Sequence, residues 1–201
     1  MARIVLLALA LVVAAAGLLA LVFSQSESAS VAADEPGTSV PTTVAPASTT
    51  TLPPMLGNAL ALTDLDGWLQ ADVASLDELR GQVVIVQFWT FGCYNCKNTI
   101  PYLQDIYAQY HDAGLEIVGV HAPEFDYEKD PDSILSAAQD LGVTWPIALD
   151  TARRNFRAWQ GSPAYWPRTY VLDQDGLIRF DHVGEGAYDE LEATVASLLG
   201  V

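Results

Sequence analysis

The sequence predicts an α/β domain whose sheet is parallel on one side and antiparallel on the other. Short β-rich apolar runs alternate with helical periodicity over residues 83–160, and a hairpin signal follows near the C-terminus. A Cys-x-x-Cys sits where the first full strand run meets the first long helical pattern.

The domain does not begin at the N-terminus. Ile4 to Phe23 is a run of twenty residues without a charge. As a helix it spans roughly 30 Å, the thickness of a bilayer's hydrocarbon core. Arg3, the only charge before it, places the N-terminus in the cytoplasm and the rest of the chain outside. Residues 1–23 are therefore expected to form a transmembrane signal anchor. A cleaved signal peptide is the alternative, but such apolar cores usually run about 7–15 residues. Residues 24–56 are rich in Ser, Thr, Pro and Ala and hold no aromatic residue. Such a segment cannot offset its ordering entropy by burial and is expected to be a disordered tether.

Residues 57–201 are long enough for one domain with its own core. Eight Lys and Arg face 22 Asp and Glu there, a balance of −14. That charge argues against nucleic-acid binding.

The elements follow in order. Gly67-Trp68-Leu69 closes an opening apolar-polar stretch. Ser75 to Gly81 reads as one capped helical turn, with Ser75 as the cap and Glu78 three residues on. Val83 to Trp89 is apolar throughout, as a strand buried on both faces would be. Ile100, Leu103, Tyr107 and Tyr110 recur at helical spacing up to Gly114, with Pro101 expected to kink the helix. Leu115 to Val120 is a second strand and Ser133 to Leu141 an amphipathic helix. Trp145 to Leu149 is a short strand, and Thr151 to Gln160 a basic helix. Asp173-Gln174-Asp175-Gly176 between Thr169–Leu172 and Leu177–Phe180 is a hairpin signal. Leu191, Val195, Leu198 and Leu199 mark a last helix.

Cys93 and Cys96 are the only cysteines. So short a loop stabilises little as a structural disulfide. Two cysteines with the scattered His111, His121 and His182 fit no zinc spacing, so no metal is expected. At a helix N-terminus, however, unpaired N–H groups and the helix dipole favour a thiolate. Cys93 is thus expected to attack substrate disulfides, and Cys96, one turn deeper, to resolve the mixed disulfide. The pair itself is the redox group, and no separate cofactor is called for.

Several stretches together carry a resemblance: Gly67-Trp68-Leu69, Leu79 to Thr90, Cys93-x-x-Cys96, Ile100-Pro101, Gly119-Val120-His121-Ala122-Pro123-Glu124-Phe125, Glu128-Lys129-Asp130, Trp166-Pro167 and Gly184-Glu185-Gly186. The chain resembles the TlpA/ResA branch of the thioredoxin superfamily, especially the periplasmic thioredoxin-like domain of DipZ-type proteins. The resemblance implies a thioredoxin-like fold and a tethered thiol–disulfide oxidoreductase acting outside the cytoplasm. It puts Pro167 at the family's cis-proline position, lining the edge where an extended peptide pairs. Trp166 then shapes that groove or simply packs in the core, and Tyr94 and Asn95, between the cysteines, belong to the same docking surface. Glu124 aligns with a glutamate near the cysteine pair and either passes protons or remains a solvated loop carboxylate. His121 is expected to be a packed strand-end histidine. Gln87 stands where related domains often carry a buried Asp and cannot titrate. Gly92 replaces a common Trp, which opens or reshapes the approach to Cys93.

Protein thiols and disulfides are the expected substrates, with electrons drawn from a separate membrane protein. A disulfide reductase is the first expectation and a thiol oxidase on the same scaffold the second. Thr90-x-x-Cys93 superficially matches a peroxidase motif. Tethered copper chaperones use a CxxxC and a histidine before the hairpin, both absent here.

Overall fold

The computed structural model describes residues 51–201. The expected anchor at 1–23 and most of the expected tether at 24–56 lie outside the described residues. Among the described residues no helix is long and apolar enough to cross a membrane. The end of the tether is already tied to the domain: the Pro53 carbonyl accepts from Arg179 and the Leu56 N–H donates to Ile178.

Seven strands form one sheet: β1 (Gly57–Asn58), β2 (Trp68–Leu69), β3 (Val83–Trp89), β4 (Leu115–His121), β5 (Ile147–Leu149), β6 (Arg168–Leu172) and β7 (Leu177–Val183). Their order is β1-β7-β6-β3-β4-β5-β2. β3, β4 and β5 run parallel, whereas β6 pairs antiparallel with β3 and β7 with β6. The mixed sheet expected from the sequence is thus present.

β3 occupies the centre, and every one of its residues is buried. Its alternate side chains serve two cores. Val83, Ile85 and Trp89 point to the face covered by α1 (Tyr94–Tyr110), α2 (Pro131–Asp140) and α4 (Tyr188–Leu199). Val84, Val86 and Phe88 point to the other face, toward α3 (Arg154–Gln160). Gln87 is buried on the first face. Full burial of an aliphatic side chain such as Ile100 or Leu103 is worth about 1.5–3 kcal/mol. Those two lie on the face of α1 that presses the helix onto the sheet and holds its N-terminus at the end of β3.

α1 continues through Pro101, although proline offers no N–H to the Lys97 carbonyl. Two local expectations need adjusting. Ser75 stands at the cap position of the short turn Leu76–Leu79, but its side chain accepts no N–H from it; the hydroxyl instead donates to Glu78, which also accepts from the Ala74 N–H. α3 begins at Arg154 rather than Thr151. The cause is the buried Asp150, whose carboxylate accepts the N–H groups of Arg154, Asn155 and Phe156 and so fixes the helix start. The hairpin forms as expected. Asp173 Oδ1 accepts from Asp175 and Leu177, and Gly176 takes the left-handed conformation at φ 74°.

Candidate active site

β3 ends at Trp89, and Cys93 is the cap residue of α1. The Cys96 N–H donates to the Cys93 sulfur at 3.2 Å. The sulfur therefore takes the place that a side-chain oxygen usually fills at a helix start. Both cysteines are reduced; Cys93 is half-buried and Cys96 fully buried.

This arrangement separates the two thiols electrostatically. Donation by the Cys96 thiol is the main influence that brings the Cys93 pKa down to about 7, aided by the N–H groups of Cys96 and Asn95. Partial burial and the charge of Glu124 work against it. Cys96 moves upward, first through burial, then through its hydrogen bond to Cys93 and the charge there. Near neutral pH one sulfur is substantially thiolate and accessible, while the other is a buried thiol. That is the pairing that nucleophilic attack followed by internal resolution needs.

A second carboxylate, not singled out from the sequence, is built into the loop that meets the residue before Cys93. Glu124 is exposed, although its charge does reach Cys93. Glu128 has no accessible surface. Its Oε1 accepts the Gly92 N–H at 2.9 Å, and its Oε2 accepts the N–H groups of Glu124 at 2.6 Å and Phe125 at 2.9 Å. One buried carboxylate thus bolts the loop after β4 to the residue before Cys93. The sequence placed Glu128 within a matching stretch but gave it no role.

Gly92 also reads differently in three dimensions. A Cβ there would overlap Glu128 Oε1 and stand 2.5 Å from the Tyr127 hydroxyl oxygen. Glycine is needed because Glu128 and Tyr127 already fill that space; its lack of a side chain does not simply open the approach to Cys93.

The other expected residues lie as follows. Tyr94 and Asn95 are exposed on the first turn of α1. Pro167 is buried immediately before β6 and follows a cis peptide bond from Trp166, as Pro163 does from Ser162. Because Phe88 pairs with Arg168, the register continues Pro167 opposite Trp89. Trp166 is half-buried, stacks on Phe156 at 4.1 Å and donates its indole N–H to the Ala122 carbonyl. His121 is buried between Trp89 and Phe91, with Nε2 3.2 Å from the Thr90 hydroxyl. Burial pushes its pKa down to about 4, so it is neutral wherever Cys93 ionises. Among the described residues no group of His, Cys, Asp and Glu is arranged to hold a metal ion.

The role of Glu124 can be read from a pH profile. Glu124→Gln removes a charge that opposes the Cys93 thiolate, so the midpoint for Cys93 alkylation should fall below the wild-type value near pH 7. An unchanged or higher midpoint would leave Glu124 as a solvated loop carboxylate.

A central mixed sheet, helices on both faces and a CxxC pair at the strand-to-helix junction define a thioredoxin-like fold. Residues 56–181 match the AhpC/TSA family, and the chain belongs to it. It is 39% identical over 147 residues to protein DipZ of Mycobacterium bovis, covering 71% of this chain and 21% of that protein. It is 27% identical over 131 residues to the thiol-disulfide oxidoreductase ResA of Bacillus anthracis, covering 65% of this chain and 69% of that protein. Thus the chain spans only about a fifth of the length of DipZ. Among solved structures it resembles a putative thiol:disulfide interchange protein DsbE from Chlorobium tepidum. The TM-score is 0.61 at 20% identity, covering 75% of this chain and all of the other.

Proposed function

We propose that this protein is a membrane-tethered disulfide reductase working outside the cytoplasm, with Cys93 as nucleophile and Cys96 as resolving thiol. The observation that carries the reading is the split between the two thiols: Cys93 lowered to about 7 at the helix start, Cys96 buried behind it and raised. The Cys93 thiolate attacks one sulfur of a substrate disulfide. A Cys93–substrate disulfide forms, the substrate S–S bond breaks, and the released substrate thiolate takes a proton from water. Cys96 then loses its proton and attacks the Cys93 sulfur. The Cys93–Cys96 disulfide closes, and the second substrate thiolate leaves and is protonated. Two electrons pass from the protein to the substrate.

Docking belongs to the edge at Trp166 and Pro167 together with Tyr94 and Asn95, where an extended peptide reaches Cys93. Residues 1–23 anchor the domain, residues 24–56 tether it, and a separate membrane protein restores the dithiol. The apolar run at 4–23 and the likeness to DipZ and ResA support this placement. Peroxide chemistry through Thr90 is disfavoured, because the buried Thr90 hydroxyl faces His121.

Direction is tested by two single-turnover reactions on one peptide sequence. Reduced protein should reduce the peptide disulfide faster than oxidised protein oxidises the peptide dithiol. The reverse order would make the protein an oxidase.

A further inference from the structure

The loop bolted down by Glu128 carries two aromatic side chains that no core accounts for. Phe125 is 52% exposed and Tyr127 60% exposed. Their rings stack at 5.8 Å, and Tyr127 meets the edge of Phe91 at 5.9 Å. Phe91 in turn lies on the buried His121. A row of rings therefore runs from solvent to the residue two positions before Cys93. Aromatic surface left in water beside a reactive sulfur is expected where a partner covers it.

This shelf is fixed in place. Glu128 spends both carboxylate oxygens on it, two N–H groups from the loop itself and one from Gly92. Its charge is also defined. Asp126 is paired with Lys129 at 2.6 Å, whereas Glu124 has no ion pair among the described residues. The shelf is aromatic, with an exposed carboxylate at its edge, Glu124, that no cation pairs among the described residues, in a domain with a balance of −14. Its complement is an aromatic side chain followed by a cationic one.

We propose that Glu124–Glu128 is a substrate-selecting lip: Phe125 and Tyr127 receive an aromatic side chain next to the target cysteine, Glu124 favours a basic neighbour, and Glu128 is the positioning residue that holds the lip against Gly92. The preferred substrate is an extended peptide with that pair of residues beside its oxidised cysteine. This rests on the dithiol reading of Cys93 and Cys96.

The test uses the pre-reduced full chain in single turnovers. Three peptides each carry one cysteine in a mixed disulfide with 2-mercaptoethanol, flanked by Phe and Lys, by Ser and Lys, or by Phe and Glu. Bis(2-hydroxyethyl) disulfide serves as a substrate too small to reach the lip. The Phe–Lys peptide should react about tenfold faster than the Ser–Lys peptide at sub-saturating concentration. In the Phe125→Ser/Tyr127→Ser double variant that ratio should fall to within about twofold. The Phe–Glu peptide should react more slowly than the Phe–Lys peptide, and Glu124→Gln should narrow that gap. Glu128→Gln should raise the half-saturating concentration of the Phe–Lys peptide more than it lowers the limiting rate. If the wild type reduces the small disulfide but treats Phe and Ser alike, the lip is wrong and the dithiol reading stands. A ratio that survives in the double variant overturns the lip as well. If the small disulfide is not reduced, the dithiol reading fails and takes the lip with it.

Discussion

Cys93→Ser should reduce thiol–disulfide exchange to the uncatalysed rate, a loss of about three orders of magnitude or more. The expectation follows from the division of labour between the two sulfurs. Only Cys93 combines partial exposure with a pKa near 7. Cys96 has no accessible surface and is held as a thiol, so it cannot take over the first attack. Cys96→Ser should behave differently. Cys93 still attacks, but nothing displaces the substrate, so about one equivalent of mixed disulfide should accumulate and turnover should stop. Its serine hydroxyl can still donate to the Cys93 sulfur, which keeps the nucleophile active. Mass spectrometry of the acid-quenched reaction distinguishes the two variants. Two variants with equal residual exchange would remove the pair from the site.

The second large effect is expected at Gly92. Gly92→Ala places a methyl group against Glu128 Oε1 and 2.5 Å from the Tyr127 hydroxyl oxygen. Tyr127 is exposed and can swing away. Glu128 cannot, because it is buried and holds three N–H groups. Either the Gly92 hydrogen bond breaks or the whole loop shifts. Inserting a methyl group into a filled site costs about 1–3 kcal/mol. Urea unfolding should show that loss, and exchange should slow because the backbone entering Cys93 has moved. A stability within about 0.5 kcal/mol of wild type would mean that the Glu128 tie is weaker than its geometry suggests.

The parts of the fold that were legible in the sequence are those governed by local pattern. Val83–Trp89 shows its burial in an unbroken apolar run, and Asp173–Gly176 carries its turn chemistry in four consecutive residues. The junction of β3 and α1 at Cys93 could be read the same way. What could not be read depends on contacts between distant segments. Glu128 touches Gly92 across thirty-six residues of chain, and a charged residue in a polar loop gives no sign that it is buried. Glu124, nearer to the cysteines along the chain, is the candidate the sequence offers; in the fold it gives its N–H to Glu128 and a charge that opposes the Cys93 thiolate. Asp150 is a similar case. Helical composition begins at Thr151, but the helix begins where Asp150 collects its N–H groups.

Cys93 and Cys96 are expected to form a reversible redox pair. Equilibrium titration in glutathione and dithiothreitol buffers, read by tryptophan fluorescence, tests it most directly, since Trp89 shares a core cluster with Cys96. The expected result is one reversible two-electron transition with a midpoint near or below about −230 mV, the range of a disulfide reductase. A midpoint near −120 mV would mark a disulfide donor instead. A pair that never cycles would contradict the account altogether.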